Sequence, residues 1–242
     1  GRMVVGGCAL ISRCQMWTRP VWGVPLLLPF LAVLWKNPQA FADFTGLSGH
    51  TSGNSEFDPL MFGAATTVAF SLVVQIGEQV DFLRFLPEKT AANRKRWWAA
   101  VLMAGPGWIA LGMLKMLGGA FLAFLVLQHE LPLSKAVEPT QMYLAGFSYV
   151  FTDPVWVMAA TVLFVVLSQI KINLTNAYAG SLAWSNFFAR LTHSHPGRVV
   201  WLVFNVAIAL LLMTLGVFSA LEKVLGFYSN VAIAWVGALV AD

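Results

Sequence analysis

Charge is scarce in this sequence. Asp, Glu, Lys and Arg make up 11% of the 242 residues, where soluble domains carry roughly a quarter, and 58% of the chain is apolar. A water-soluble fold of that composition would lack the polar side chains to cover its own surface. A bilayer removes the requirement, because its core is itself apolar. Cysteine is nearly absent as well: Cys8 and Cys14 have no metal partners at a ligand spacing and read as packing residues. Soluble-enzyme signatures are also missing. The sequence has no Gly-rich phosphate loop with a following Lys, no paired acid and base in an apolar frame and no Gly-x-Ser-x-Gly elbow, so it is not expected to be an enzyme. No charged n-region precedes a short apolar run with a cleavage site, as a signal peptide would need. What is abundant is aromatic: ten Trp and eighteen Phe, residues that gather at membrane interfaces and in bundle interiors.

About 20 apolar residues carry a helix across ~30 Å of hydrocarbon. By that measure residues 3–11 read as the end of a helix, followed by spans over about 20–36, 59–80, 97–127, 154–188, 199–217 and 226–242. Pro25 and Pro29 punctuate the second segment, and Gly105-Pro106-Gly107 predicts a kink near the start of the fourth. The segment at 37–58, rich in Gly, Ser, Thr and Asn, is expected to lack a regular core. Because the sequence begins and stops inside apolar segments, it is expected to be a piece of a longer protein, read as a single transmembrane transporter domain.

The basic residues test this division. Arg13 and Arg19, then Arg84, Lys89, Arg94, Lys95 and Arg96, then Arg190 and Arg198 fall in every second join; the alternate joins hold only Lys36, Lys135 and Lys223. Positive-inside bias places the first set in the cytoplasm. The net charge of +4 therefore speaks for orientation and not for nucleic acid, which is not an expected partner. The basic run over 86–96 is expected to be a solvated loop near anionic lipid. His193 and His195 lack a third ligand nearby and read as a surface turn.

Polar residues at membrane depth are costly unless they face a partner or a cavity. The span over 154–188 holds the densest set: Ser168, Gln169, Lys171, Asn173, Thr175, Asn176, Tyr178 and Ser181. At 100° per residue, Ser168, Lys171, Thr175 and Tyr178 share one stripe, while Gln169, Asn173, Asn176 and Gly180 share another nearly opposite. A helix polar on two opposed sides belongs in a bundle interior. Hydrogen bonding between helices accounts for one or two such residues, but poorly for eight in fourteen, so a substrate or ion pathway is the better expectation. Lys171 reads as lying well inside the membrane, where it is expected to be paired, neutral or cycling between charge states. Lys115 reads as a packing or partly hydrated residue. A second polar set runs along 59–80: Thr66, Thr67, Ser71, Gln75, Glu78 and Gln79, with Glu78 and Asp81 beside Arg84 as an ion pair closing a helix end.

Two motifs resemble the purine–cytosine permease family of nucleobase–cation symporters. Gln79-Val80-Asp81-Phe82-Leu83-Arg84-Phe85 is similar to the Pro-Asp-Phe-x-Arg-Phe run that closes the family's sixth helix. Asn176-Ala177-Tyr178-Ala179-Gly180-Ser181-Leu182-Ala183-Trp184-Ser185-Asn186 resembles its eighth helix. The resemblance covers the chain from the end of helix four to helix ten. It implies an all-α polytopic membrane protein with LeuT-like inverted five-helix repeats, here the second repeat plus part of the first, and a substrate held near the midplane. Asn176, with Asn173, Gln169, Phe70 and Gln75, would bind a nucleobase-like substrate. The departures are specific. The stacking aromatic of the family's sixth helix falls near Leu72, two positions from Phe70. The hydroxyls that the eighth helix gives to sodium fall at Ile170 and Lys171, which leaves Lys171, Thr175 and Ser168 as the ion-coupling set.

The function so implied is secondary active transport of a nucleobase or related small heterocycle across the inner (cytoplasmic) membrane. It would be sodium-independent, with no cofactor and with proton coupling as the alternative to sodium. The competing readings are an amino-acid or amine transporter of the same architecture and a transporter-like membrane sensor domain. The oligomeric state is not legible.

Overall fold

The computed structural model describes residues 8–47, 57–71, 79, 83, 85–193, 196–215 and 221–241. Among these the chain forms ten helices and no strand: α1 (Cys8–Lys36), α2 (Gln39–Thr45), α3 (Pro59–Ser71), α4 (Arg94–Ala104), α5 (Gly107–Gln128), α6 (Leu133–Ala136), α7 (Pro139–Ser148), α8 (Pro154–Thr192), α9 (Arg198–Thr214) and α10 (Leu221–Ala241). Three stretches are long and apolar enough to cross a membrane: Leu10–Lys36, Arg94–Gln128 and Pro154–Thr192. Most of their apolar surface is uncovered by protein, with Val24, Leu31, Met113, Leu114 and Leu163 all exposed, as a lipid-facing surface is.

Several sequence-based expectations need correction. Residues 3–11 and 20–36 are not two segments with a basic join. From Cys8 onward they are one helix that carries Pro20, Pro25 and Pro29 in its interior, with residues 1–7 outside the described set. A proline removes one helical hydrogen bond, but neighbouring packing re-satisfies and holds such helices in membranes. Pro29 is fully buried, and a Cβ placed on Gly146 would stand 2.9 Å from its ring. The approach of α7 to α1 thus fastens the helix at a proline. The segment after Lys36 is not without structure either. Helix α2 buries Ala40 and stacks Phe41 on Phe121 of α5 at 4.1 Å. The join before α8 holds α6 and α7, and α7 buries Phe147. Periodicity sought at membrane length passes over such short helices. The break at 105–106 is as expected: a Cβ on Gly105 would meet the Val101 carbonyl oxygen at 2.8 Å, and one on Gly107 the Leu102 oxygen at 2.8 Å.

The chain divides into two compact units, Gly1–Gly53 with Ile109–Asn176, and Asn54–Trp108 with Ala177–Asp242. In the first, Val33, Ala40, Phe121, Leu122, Phe124 and Leu125 form one buried cluster. A second cluster, of Phe147, Val157 and Phe164, packs with Trp22 and Tyr143. Burial pushes the Tyr143 phenol up to about 12, so it stays protonated at physiological pH against the Phe164 ring 4.4 Å away. In the second unit α10 lies along α3, and the C-terminal part of α8 packs on α9. There Phe188 stacks on Trp201 at 4.5 Å, and Trp184 Nε1 donates to Asn205 Oδ1 at 3.1 Å. Gly180 makes room for the Asn205 amide, which a Cβ would meet at 2.8 Å.

Candidate functional site

The site is built where α1 and α8 run side by side within the first unit. Gln15, Thr18 and Trp22 recur at spacings of three and four, so they share one face of α1. On α8, Ser168, Lys171 and Thr175 do the same. The two faces meet. Trp22 Nε1 donates to Ser168 Oγ at 2.9 Å. Lys171 Nζ donates to Gln15 Oε1 at 2.6 Å, to Thr18 Oγ1 at 2.8 Å and, more weakly, to the Gln15 carbonyl at 3.5 Å.

An ammonium has three donors, and these three oxygens match them in number. None of the three is a carboxylate, so the charge is held by dipoles and not by a counter-charge. The arrangement is braced from both sides. Gln15 Nε2 donates back to the Lys171 carbonyl at 2.9 Å, and the Thr18 hydroxyl donates to the Cys14 carbonyl at 2.8 Å, which turns its lone pairs toward the lysine. Trp22 also has a cationic neighbour, Lys115 of α5, whose Nζ lies 5.8 Å from the ring centroid. That cation–π contact gives Lys115 a definite place.

Lys171 is expected to lie well inside the membrane, and its partner helix carries charged residues on either side of the contact. Its partners on α1 lie between Arg13 and Arg19, both exposed, and it stands 17 residues beyond Pro154, or about 26 Å along the helix. At 39 residues, about 58 Å, α8 is longer than the ~30 Å hydrocarbon layer is thick.

Gln169, Asn173 and Asn176 occupy the opposite stripe of α8 and are all exposed. Thr175 faces neither group: its hydroxyl donates to the Ile172 carbonyl at 2.8 Å and approaches the Lys171 carbonyl at 3.5 Å. Tyr178 and Ser181 are buried in the second unit, where the Ser181 hydroxyl donates to the Tyr178 carbonyl at 2.7 Å. Phe70, on α3 of that unit, is 44% exposed. Gln75, Glu78, Asp81 and Arg84 lie outside the described residues. His193 closes α8 in a left-handed turn, φ 55°, and His195 is outside the described set. Among the described residues no group of three or more His, Cys, Asp or Glu could hold a metal ion.

Gln15, Thr18 and Trp22 were the residues that sequence reasoning missed. Their spacing was a signal, but a join drawn across residues 12–19 hid the face they form. No family model, curated protein or solved structure matches the chain.

Proposed function

We propose that this chain is part of a secondary active transporter in the inner membrane, carrying a nucleobase or related small heterocycle through a bundle of LeuT-like inverted repeats. The observation that carries the reading is the exposed stripe of Gln169, Asn173 and Asn176 on a helix long and apolar enough to span a membrane. Three amides on one lipid-depth face, each with donors and acceptors, would be costly against lipid. Covered by further helices, they would line a polar path whose chemistry suits the amide edges of a nucleobase. The two motifs similar to the purine–cytosine permeases support the same substrate class.

Sodium independence follows from the same helix. Carbonyl, amide and hydroxyl oxygens are the ligands a hard cation takes, and here Lys171 fills such a set with its own ammonium. A sodium ion would meet both an occupied space and a like charge. Proton coupling through Lys171, or no coupling, is the reading for this chain. Uptake of labelled cytosine, uracil, adenine, hydantoin and allantoin by the full-length protein in proteoliposomes tests it, under a sodium gradient alone and a proton gradient alone. Uptake of at least one heterocycle without sodium stimulation is expected. Accumulation of amino acids or amines in place of every heterocycle would overturn the substrate class, and strong stimulation by sodium at fixed pH would overturn the role of Lys171.

A further inference from the structure

The polar run before α4 is folded, and its fold gathers charge. Thr90 N–H donates to Asn93 Oδ1 at 2.8 Å, and Asn93 N–H returns a bond to Thr90 Oγ1 at 3.3 Å. Asn93 Nδ2 donates to the Glu88 carbonyl at 2.9 Å, and Trp97 Nε1 to the Pro87 carbonyl at 2.9 Å. This knot brings Lys89 back over the start of the helix, where its Nζ lies 5.3 Å from the centroids of both Trp97 and Trp98. The two indoles stand edge to face, 5.2 Å apart. Lys89 thereby joins Arg94, Lys95 and Arg96, and all four are exposed. Against them, within residues 85–104, stands the single carboxylate of Glu88.

Polarity then changes along the axis of α4. Beyond the basic end come Trp98, Leu102 and Met103, exposed by 44%, 55% and 68%, and no residue of α4 is buried. The basic cluster stands at the N-terminal end of Arg94–Gln128, one of the stretches long and apolar enough to cross a membrane, and the ends of such stretches are where headgroups are met. Helix α4 is thus basic at one end and apolar at the other. A phospholipid presents that gradient in complement, an anionic head followed by acyl chains.

We infer that Lys89, Arg94, Lys95 and Arg96, with Trp97 and Trp98, form a binding site for an anionic phospholipid, its phosphate against the basic cluster and its chains along Trp98, Leu102 and Met103. The cation–π contacts fix the Lys89 ammonium at the level where the headgroup lies. The inference depends on the stretch Arg94–Gln128 lying in a bilayer and not on the transport reading.

The test uses the full-length protein in neutral detergent, with retained lipid read by native mass spectrometry against phosphatidylglycerol, phosphatidylcholine and free glycerol 3-phosphate. Phosphatidylglycerol is expected to bind at least about tenfold more tightly than phosphatidylcholine, from a contribution of about fivefold per basic residue at an anionic surface. Free glycerol 3-phosphate, which lacks chains, should not compete. The combined change Arg94→Gln, Lys95→Gln, Arg96→Gln should remove the preference, and Lys89→Gln should reduce it several-fold. Neutralising Lys36 and Lys135, away from α4, should leave it intact. Equal retention of the two lipids, or competition by glycerol 3-phosphate alone, would overturn the inference. If the triple variant does not fold, an undiminished preference in Lys89→Gln overturns the role given to the folded loop.

Discussion

The two polar stripes of α8 in the first unit are made of similar residues and end in opposite conditions. On one, Ser168 and Lys171 have their hydrogen bonds filled by Trp22, Gln15 and Thr18. On the other, Gln169, Asn173 and Asn176 face outward. A polar residue at membrane depth is usually a sign of function, but the sign divides once partners are known. The satisfied stripe fixes α1 to α8 and holds a charge in a set position. The open stripe still has its donors and acceptors to offer, and there a ligand or further helices must bind. Lys171 belongs to the first group by contact and to the proposed mechanism by charge, so substitutions along this one helix separate structure from transport.

The largest effect is expected at Lys171. Lys171→Met keeps the length of the side chain and removes the ammonium, leaving Gln15 Oε1 and Thr18 Oγ1 without their donor. Hydrogen bonds to a charged group contribute about 1.5–3 kcal/mol each, so α1 and α8 lose part of their attachment along with any proton carrier. Uptake in proteoliposomes should fall below about a tenth of the wild-type rate, a rise of more than about 1.4 kcal/mol in the barrier, and no sodium requirement should appear. Gln15→Leu should reproduce the loss of stability but retain proton-driven uptake in the protein that does fold. If Lys171→Met transports normally, the satisfied stripe is structural alone.

Asn176 comes next, and it probes the open stripe. Asn176→Ala removes both a donor and an acceptor from an exposed position on α8. An unpaired polar group in a dry site costs about 1–3 kcal/mol, which is about tenfold to a hundredfold in affinity. Substrate binding by the full-length variant should weaken by that order while its unfolding in detergent is unchanged. A drop in stability with binding intact would place Asn176 among the residues that pack helices together.

Much of this division was open to sequence reasoning, and part of it was not. The opposed stripes on α8 follow from the helical period alone, and the Gly105-Pro106-Gly107 break follows from what those residues forbid. The partners of Lys171 did not follow. Arg13 and Arg19 read as a join because basic residues gather at the ends of membrane helices. In α1 the arginines stay on the exposed side while Gln15, Thr18 and Trp22 turn toward α8. Which face of a helix meets which neighbour is a tertiary property, and hydropathy averaged over 20 residues does not contain it. Helices α2 and α7 escaped for the opposite reason. They are too short to register as spans, and they hold their place through side-chain packing such as Phe41 on Phe121 and Gly146 on Pro29.

A smaller effect is expected at Ser168, whose hydroxyl accepts from Trp22. Ser168→Ala leaves the half-buried indole N–H without that acceptor, a loss of about 1 kcal/mol. Reversible unfolding in mixed micelles should show it. In a Trp22→Phe background the same Ser168→Ala change should cost far less, because the pair acts as a unit. Independent, additive losses would mean that the indole and the hydroxyl do not meet in the folded protein.

Thr175 should respond least, and it sharpens the comparison because it sits on the satisfied stripe without reaching across to α1. Its hydroxyl hydrogen goes to the Ile172 carbonyl of its own helix, a local bond of the kind that Ser and Thr make within helices at little net gain. Thr175→Val keeps the shape and the β-branch, and the carbonyl it deserts retains its backbone hydrogen bond. Stability should change by less than about 0.5 kcal/mol, the range for substitutions away from packed or paired groups. Uptake and its pH dependence should match the wild type. The family resemblance leads to the expectation that Thr175 couples an ion together with Lys171 and Ser168, whereas the geometry gives it no contact with the ammonium. What remains to Thr175 is an accepting lone pair, and a tenfold loss of uptake in the valine variant would show that a ligand uses it. In that case the boundary between the two stripes would run through Thr175, and the set that faces substrate would reach onto the stripe that carries Lys171.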